Sequence, residues 1–153
     1  MRRKILGIVA SVALIAGVTA CSSDDTSTTD SPEITVTGQW ARQSPMATDM
    51  GAAYMTIESS AEDELIGASV DMSVAMMTEV HETVNVDGGM KMQEVASIKV
   101  SPDQAIAMEP GGFHVMLMGL VKPLEIGQTI EVTLKFSKSG DKVIDVPVLE
   151  DAP

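Results

Sequence analysis

The chain contains only two histidines, and each has a methionine at a spacing that could build a metal site. His114 and Met116 are two residues apart in the segment Phe-His-Val-Met-Leu-Met, so on a β-strand they project from the same face. His81 and Met92 form the second pair, with ten residues between them. Thioethers are soft, neutral ligands that suit Cu(I) better than Zn(II), Mg(II) or Ca(II), and imidazole also binds copper. The four side chains therefore predict a Cu(I) site.

A hairpin turn would bring Met92 back towards His81. Asp87-Gly88 is typical of a two-residue turn between antiparallel strands. In that register Thr83 opposes Met92, which puts Met92 on the face of His81 at a diagonal distance of about 7–8 Å between backbones. A turn of another length would put Met92 on the opposite face.

Two further methionines, Met90 and Met118, share the predicted ligand faces because they lie two residues from Met92 and Met116. They could shield the metal from water, act as auxiliary ligands during transfer, or simply pack. The sequence leaves these roles open.

The elements that must position these residues are β-strands. Residues 129–137 alternate apolar and polar side chains, and residues 142–149 repeat the pattern, with Pro147 predicting an edge strand. No stretch has a helical period. The chain therefore predicts an all-β domain, a β-sandwich or Greek-key barrel. The other predicted strands are 34–38, 51–58, 64–71, 76–85, 90–95, 98–100, 105–108 and 113–118.

The N-terminus predicts export and a lipid anchor. A basic start, the apolar run 5–17 and a lipobox-like Val-Thr-Ala-Cys indicate a lipoprotein signal peptide over residues 1–20, with Cys21 as the lipidated residue. A plain signal peptide that leaves a free Cys21, or an uncleaved anchor, are the alternatives. Residues 21–33 then form a flexible acidic linker, 34–149 the metal-binding domain and 150–153 a short tail. The expected location is the outer side of the cell membrane.

Composition and motifs exclude several classes of protein. Ten Lys and Arg against 22 Asp and Glu give a net charge of −12, which argues against nucleic-acid binding. A blue-copper electron carrier needs a Cys beside two His, and the single Cys, Cys21, lies at the lipobox. No Ser-His-Asp spacing, zinc motif or phosphate loop is present, so the chain is not expected to be an enzyme. A metal-free structural lipoprotein stays open.

The pattern His81-x10-Met92-x21-His114-x-Met116 resembles the motif of the extracytoplasmic copper chaperones called PCu(A)C. Residues 50–57, 86–89 and 109–124 are also similar to that family, and the resemblance spans 34–149. Thr83 stands where many members carry one more Met. The resemblance implies a cupredoxin-like β-barrel that holds one Cu(I) on the four motif residues. It also implies delivery towards the copper A centre of cytochrome c oxidase, with an oxidase subunit or another copper chaperone as recipient. Envelope copper scavenging or storage is the alternative.

Overall fold

Ten β-strands form the part of the chain that the computed structural model describes, residues 31–45 and 49–153. Within these ranges there is no helix, and so no helix that could span a membrane. The predicted signal peptide, the predicted lipidation site Cys21 and the linker up to residue 30 lie outside the described residues. The strands are β1 (Ile34–Arg42), β2 (Met50–Ser59), β3 (Asp63–Val70), β4 (Ala75–Val86), β5 (Gly89–Glu94), β6 (Ile98–Val100), β7 (Ile106–Met108), β8 (Phe113–Leu120), β9 (Thr129–Phe136) and β10 (Gly140–Leu149).

All the predicted strands are present, so the all-β prediction is confirmed. The largest difference is in β1, which was expected to end at Gly38 and runs on to Arg42. Gly38 adopts a φ of +60°, and the pairing of β1 with β2 shifts between Thr37 and Trp40. A β-bulge at this glycine therefore carries the strand past the residue that was expected to end it.

Alternation of apolar residues along most strands builds a single core, to which β5 contributes no buried residue. In β9 the side chains of Ile130, Val132, Leu134 and Phe136 are all buried, as the period of two predicts. Aliphatic and methionine side chains supply most of the core because the chain has few aromatic residues. The largest fully buried apolar side chains are Met55, Ile57, Leu65, Leu117 and Leu134.

The strands pair in the order β5-β4-β8-β7-β2-β1-β10-β9-β3-β6. Most neighbours in this order are not consecutive in sequence. The first and last strands, β1 and β10, pair in parallel at their C-terminal ends. β8 is antiparallel to β4 on one side and to β2 on the other. β8 is therefore the strand through which residues of the first half of the domain meet those of the second.

Pro147 does not mark an edge strand, so that expectation is wrong. β10 lies between β9 and β1. The N–H of the neighbouring Val148 donates to the carbonyl of Gln128, and the Val148 carbonyl accepts from the N–H of Gly127, so both groups point to the β9 side. Because successive residues of a strand direct these groups to opposite sides, the Pro147 nitrogen points to the β1 side. Pairing with β1 begins only at Val148, and the missing N–H of the proline therefore breaks no ladder bond.

Contacts with the domain begin shortly before β1. The carbonyl of Pro32 accepts a hydrogen bond from the Ser139 hydroxyl at 2.8 Å. The backbone N–H of Glu33 donates to the Ser60 hydroxyl, and its carbonyl accepts from the Ser60 N–H. Pro32 and Glu33, assigned to the linker by composition, are thus held against the start of β3 and the β9–β10 turn.

A buried carboxylate ties the β9–β10 turn to the start of β3. Asp63 accepts hydrogen bonds from the backbone N–H groups of Glu64, Lys138 and Ser139 and from the hydroxyls of Ser137 and Ser139. Burial raises the pKa of the Asp63 carboxyl, but these hydrogen bonds, led by that of the Ser139 side chain, outweigh burial and hold the pKa well below its usual range.

Replacing this carboxylate should destabilise the domain. We expect Asp63→Asn to lower the free energy of unfolding by about 2–3 kcal/mol at pH 7, because hydrogen bonds to a charged group are lost and the amide turns a donor towards other donors. The folded-state pKa lies below the unfolded value of about 4, so the stabilisation is full above that pH and is lost as the pH falls below it. Chemical denaturation at pH 7 and pH 3 measures both effects.

Asp141→Asn is the matched control, because Asp141 is exposed and its carboxylate lies 3.5 Å from Lys135 Nζ in a surface ion pair. It should unfold as the wild type does at both pH values. Equal stabilities of Asp63→Asn and the wild type at pH 7 would contradict a structural role for Asp63.

The β4–β8 pair has two chemically different faces. Val80, Val115 and Leu117 are buried in the core on one face. His81 and His114 project from the other face, because they occupy the alternate positions of the same strands. This second face carries the predicted metal ligands.

Candidate metal centre

The two histidines meet directly across β4 and β8. His81 is the register partner of His114, and their ring centres are 5.9 Å apart with the planes tilted by 52°. One metal ion bound by both rings through bonds of about 2.0–2.1 Å would hold the ring centres no more than about 6.4 Å apart. The observed separation therefore allows both imidazoles to bind one ion.

Hydrogen bonds fix which nitrogen of each ring carries the proton. His114 Nδ1 lies 3.1 Å from the carbonyl oxygen of Gly112, which can only accept, so Nδ1 donates and Nε2 presents its lone pair. His81 Nε2 lies 2.8 Å from the Glu79 carboxylate, so Nε2 donates and Nδ1 presents its lone pair. Backbone or carboxylate acceptors of this kind are the usual outer partners of metal-binding histidines.

The two remaining nitrogens have no protein partner. His81 Nδ1 and His114 Nε2 are both buried, and neither has a hydrogen bond within the described part of the chain. Leaving such a group unpaired costs about 1–3 kcal/mol, so native proteins seldom retain two side by side without a reason. Buried lone pairs on two neighbouring imidazole rings are what a metal ion bound by nitrogen requires.

Burial keeps His114 ready to bind a metal at neutral pH. Its side chain is 2% exposed, and that burial lowers the pKa of its imidazole. The Gly112 carbonyl opposes the change by accepting from Nδ1, while a positive charge on His81 would lower the pKa further. The neutral, metal-binding form of His114 is therefore favoured.

Aromatic rings line one side of the His81–His114 pair. Tyr54 lies with its ring centre 6.2 Å from that of His114, and Trp40 stacks on Tyr54 at 4.9 Å. Arg42 lies over the Trp40 ring, 5.6 Å from its centre. The row Trp40–Tyr54–His114–His81 crosses neighbouring strands and keeps water from the buried side of the rings.

Met116 lies beside the histidines on the same face. It follows His114 by two residues on β8, and its register partners are Glu79 on β4 and Ala52 on β2. Its side chain is partly exposed. Met116 therefore supplies a thioether next to the imidazole pair, as the spacing predicts.

The β4–β5 hairpin places Met92 on the ligand face. Asp87 and Gly88 have φ values of 52° and 81°, the conformation of the predicted two-residue turn. The resulting register opposes Thr83 to Met92, as expected. Met92 is thus on the face of His81, with its side chain 54% exposed.

Met92 and Met116 face one open, largely apolar cleft of about 280 Å³. In a flat sheet their Cα atoms, two strands and four residues apart, would be separated by about 16 Å. Their presence in one cleft shows that the hairpin curls over the ligand face. The other residues that line the cleft are Arg42, Gln43, Ser44, Pro45, Met50, Gly51 and Ala52.

The two auxiliary candidates are placed differently. Met118 lies on the ligand face, one row beyond Met116, between Met50 and Met77. Met90 pairs with Asn85 near the hairpin turn, is 66% exposed and does not line the cleft. The geometry brings Met118 near the centre and leaves Met90 away from it.

The sequence reasoning missed Glu79, which orients His81. A signal was present, since Glu79 precedes His81 by two residues and so shares its face of the strand. The Gly112 carbonyl and Tyr54 were also missed. Neither could be found from spacing, because the first is a backbone atom and the second reaches His114 only through the pairing of β2 with β8.

Removing the carboxylate at Glu79 should weaken the site without removing a ligand. We expect Glu79→Gln to lower Cu(I) affinity by about 10-fold or more, the usual effect of losing an outer partner of a metal-binding histidine. Glu82→Gln is the matched control, because Glu82 lies on the same strand but opposite Phe113, on the other face. Competition titrations with a chromophoric Cu(I) chelator measure both variants, and equal affinities would contradict the assigned role.

Solved structures of the same architecture define the class to which this fold and site belong. The copper-bound PCuAC domain from PmoF2 is 28% identical, with a TM-score of 0.62, and the match covers 78% of this chain and 93% of that domain. The structure of CuI-DR1885 from Deinococcus radiodurans is 30% identical, with a TM-score of 0.53 and coverage of 76% and 79%. The protein is a PCuAC-type domain with a cupredoxin-like β-fold, as its motif predicted.

The chain belongs to the LpqE-like family, whose model matches residues 34–148. A curated relative from Leifsonia xyli subsp. xyli, Lxx21020, carries the name of a lipoprotein. It is 31% identical over 151 residues, which cover 95% of this chain and 90% of the relative.

Proposed function

We propose that this protein is a Cu(I) chaperone of the cell envelope that holds one ion between His81, Met92, His114 and Met116. The observation that carries the proposal is the pair of buried lone pairs on His81 Nδ1 and His114 Nε2, which belong to neighbouring rings and have no protein partner in the described residues. Two thioethers on the same face complete a set of four neutral ligands. The copper named for the PCuAC domain of PmoF2 and for DR1885 supports the choice of metal.

The ligand chemistry favours the monovalent ion. Thioethers are soft and need no deprotonation, so they bind Cu(I) better than Cu(II) or Zn(II). The four ligands carry no charge, and the nearby carboxylate of Glu79 bonds His81 rather than the proposed metal position. A single positive charge on the ion is balanced by that one carboxylate.

The burial of the ligands differs across the site and suits transfer. His114 is buried behind Tyr54, whereas Met92 is more than half exposed on the hairpin. An incoming ligand can therefore displace Met92 first, while the imidazoles still hold the ion. Stepwise displacement of this kind lets a protein bind copper firmly and still give it to a partner. The protein acts as a binding and delivery protein rather than as an enzyme.

Titration with Cu(I) followed by X-ray absorption spectroscopy tests the proposed ligand set. At one equivalent we expect a single class of site with two nitrogen and two sulfur neighbours. Absence of binding, or a first shell made only of nitrogen and oxygen, would contradict it.

The proposal also covers where the copper goes and how the protein is held at the membrane. We infer that copper is passed towards the copper A centre of cytochrome c oxidase, and that a lipid on Cys21 holds the protein at the outer face of the membrane. The lipoprotein name of the Leifsonia xyli relative and the lipobox-like sequence support the anchor.

Transfer of copper to the soluble copper A domain of the oxidase should be faster than release of free copper from the protein. Transfer no faster than release would favour scavenging or storage, and an unmodified Cys21 in mass spectra of membrane extracts would contradict the anchor.

Acid should weaken copper binding, because protons compete for the two imidazole lone pairs. Burial lowers the pKa of His114, so this ring begins to compete only below the ordinary histidine value of about 6.5. We therefore expect Cu(I) affinity to be nearly constant from pH 8 to pH 7 and to fall steadily towards pH 5. Chelator competition across this range measures it, and a flat profile would exclude histidine ligation.

A further inference from the structure

A row of three methionines crosses the face of the sheet that carries His81 and His114. The row lies two residues along β8 from Met116. Met118 on β8 is the direct register partner of Met50 on β2 and of Met77 on β4. Register partners in antiparallel strands point to the same face, with Cβ atoms about 4.5–5.5 Å apart. The three flexible side chains are therefore close enough for their sulfur atoms to converge on one point.

Packing alone does not account for this row. Met50 is 49% exposed and Met77 is 54% exposed, and Met118 between them is partly exposed. Single exposed apolar residues are ordinary, but three adjacent ones form a patch of uniform chemistry. The patch consists of three thioether side chains, the soft and neutral ligand type that suits Cu(I).

We propose that Met50, Met77 and Met118 form a second Cu(I) site, with thioether ligands only, beside the His–Met centre. Three thioethers provide a trigonal set for a soft monovalent ion and offer no hard oxygen ligand to Zn(II) or Mg(II). The site lacks imidazole, so it binds less tightly than the first centre and is insensitive to protonation. Met118, predicted from sequence as an auxiliary ligand of the first centre, belongs to this second site.

The second site adjoins the first one. Met118 and Met116 are two residues apart on β8, a rise of about 6.8 Å along the strand. Met50 also lines the cleft that Met92 and Met116 face. A copper ion on the methionine row therefore lies at the mouth of the main centre, where it can be taken up when that centre is empty.

Silver titration of the full chain tests the proposal, because Ag(I) is a redox-inert analogue of Cu(I). In the wild type with ¹³C-labelled methionine methyl groups, a second equivalent of Ag(I) should shift the methyl signals of Met50, Met77 and Met118. Calorimetry should give two ions per chain. The double variant Met77→Leu and Met118→Leu keeps the side-chain volumes, leaves Met50 in the cleft of the first centre and should bind one ion.

Two further variants separate this proposal from the proposed function. Met72→Leu, Met76→Leu and Met90→Leu replace three exposed methionines outside the row and should still give two ions. His114→Gln should lose the tight ion and keep the weaker one. A wild type that binds only the tight ion, or a weaker ion that persists in the Met77 and Met118 variant, would overturn the second site. Loss of both ions in His114→Gln would show that the second site does not bind copper independently. A wild type that binds only the weaker ion would instead count against the His–Met centre.

Discussion

We expect His114→Ala to lower the affinity for Cu(I) by more than about 100-fold, because the loss of a proposed direct ligand should exceed the 10–100-fold loss typical of an outer partner. His114 is the central ligand of the proposed site: it is buried, its tautomer is set by Gly112, and it lies directly opposite His81. Without it, His81 Nδ1 faces an empty space and the two thioethers lose their nitrogen neighbour. Competition with a chromophoric Cu(I) chelator at pH 7.5 measures the loss.

The variant must be shown to be folded, since His114 is packed against Tyr54. Circular dichroism and thermal unfolding of the metal-free protein provide that check. Added imidazole can occupy the space and restore part of the affinity in a folded variant, which a purely structural defect would not allow. An affinity within tenfold of the wild type, in a folded protein, would exclude His114 as a ligand.

Replacing both thioethers of the main centre should change the preference between copper oxidation states. We expect Met92→Leu with Met116→Leu to lower Cu(I) affinity by about 100-fold, counting roughly tenfold, or 1.4 kcal/mol, for each sulfur. Cu(II) affinity should change little, because that ion relies on the nitrogen ligands. Leucine keeps the volume of methionine, so the cleft should retain its shape.

Met90→Leu is the matched control for this experiment. Met90 lies on the same hairpin and the same face as Met92, but it is exposed near the turn and does not line the cleft. It should leave both affinities unchanged. Equal losses for Cu(I) and Cu(II) in the double variant would show that the methionines shape the cleft without binding the metal.

The proposed mechanism depends on the contrast between the buried and exposed ligands. The β4–β5 hairpin carries Met92 on a strand whose residues are all exposed, whereas β8 is covered by β4 and β2. Elements with few buried contacts open at low free energy, so the hairpin is the part that can move away first. A recipient that approaches from the cleft would therefore meet Met92 before it meets His114.

Much of the fold was readable from local patterns. The period of two in β9 and β10, and the glycine-rich turns, predict strands whose bounds agree with the structure within a few residues. The predictions that β1 ends at Gly38 and that Pro147 marks an edge strand were the exceptions, and both failed for the same reason. A glycine or proline signals a break locally, but a bulge or an unpaired position in the sheet accommodates it.

The placement of the candidate site residues on their strands could be predicted to a similar extent. Strand parity places His114 with Met116, and the Asp87-Gly88 turn sets the register that puts Met92 on the face of His81. Both depend only on residues close in sequence. Parity does not say which strands are neighbours, so the sequence indicated that the two pairs could meet but not that β4 would lie against β8.

The sequence by itself determined the types of the candidate ligands, their pairing along each strand and the likeness to PCuAC chaperones. The tertiary structure alone decided that His81 pairs with His114, that Glu79 and Gly112 set their tautomers, and that the curled hairpin brings Met92 to the cleft of Met116. The physical reason is that side-chain alternation is a local property of the backbone, whereas strand order and sheet curvature arise from burial of the whole core.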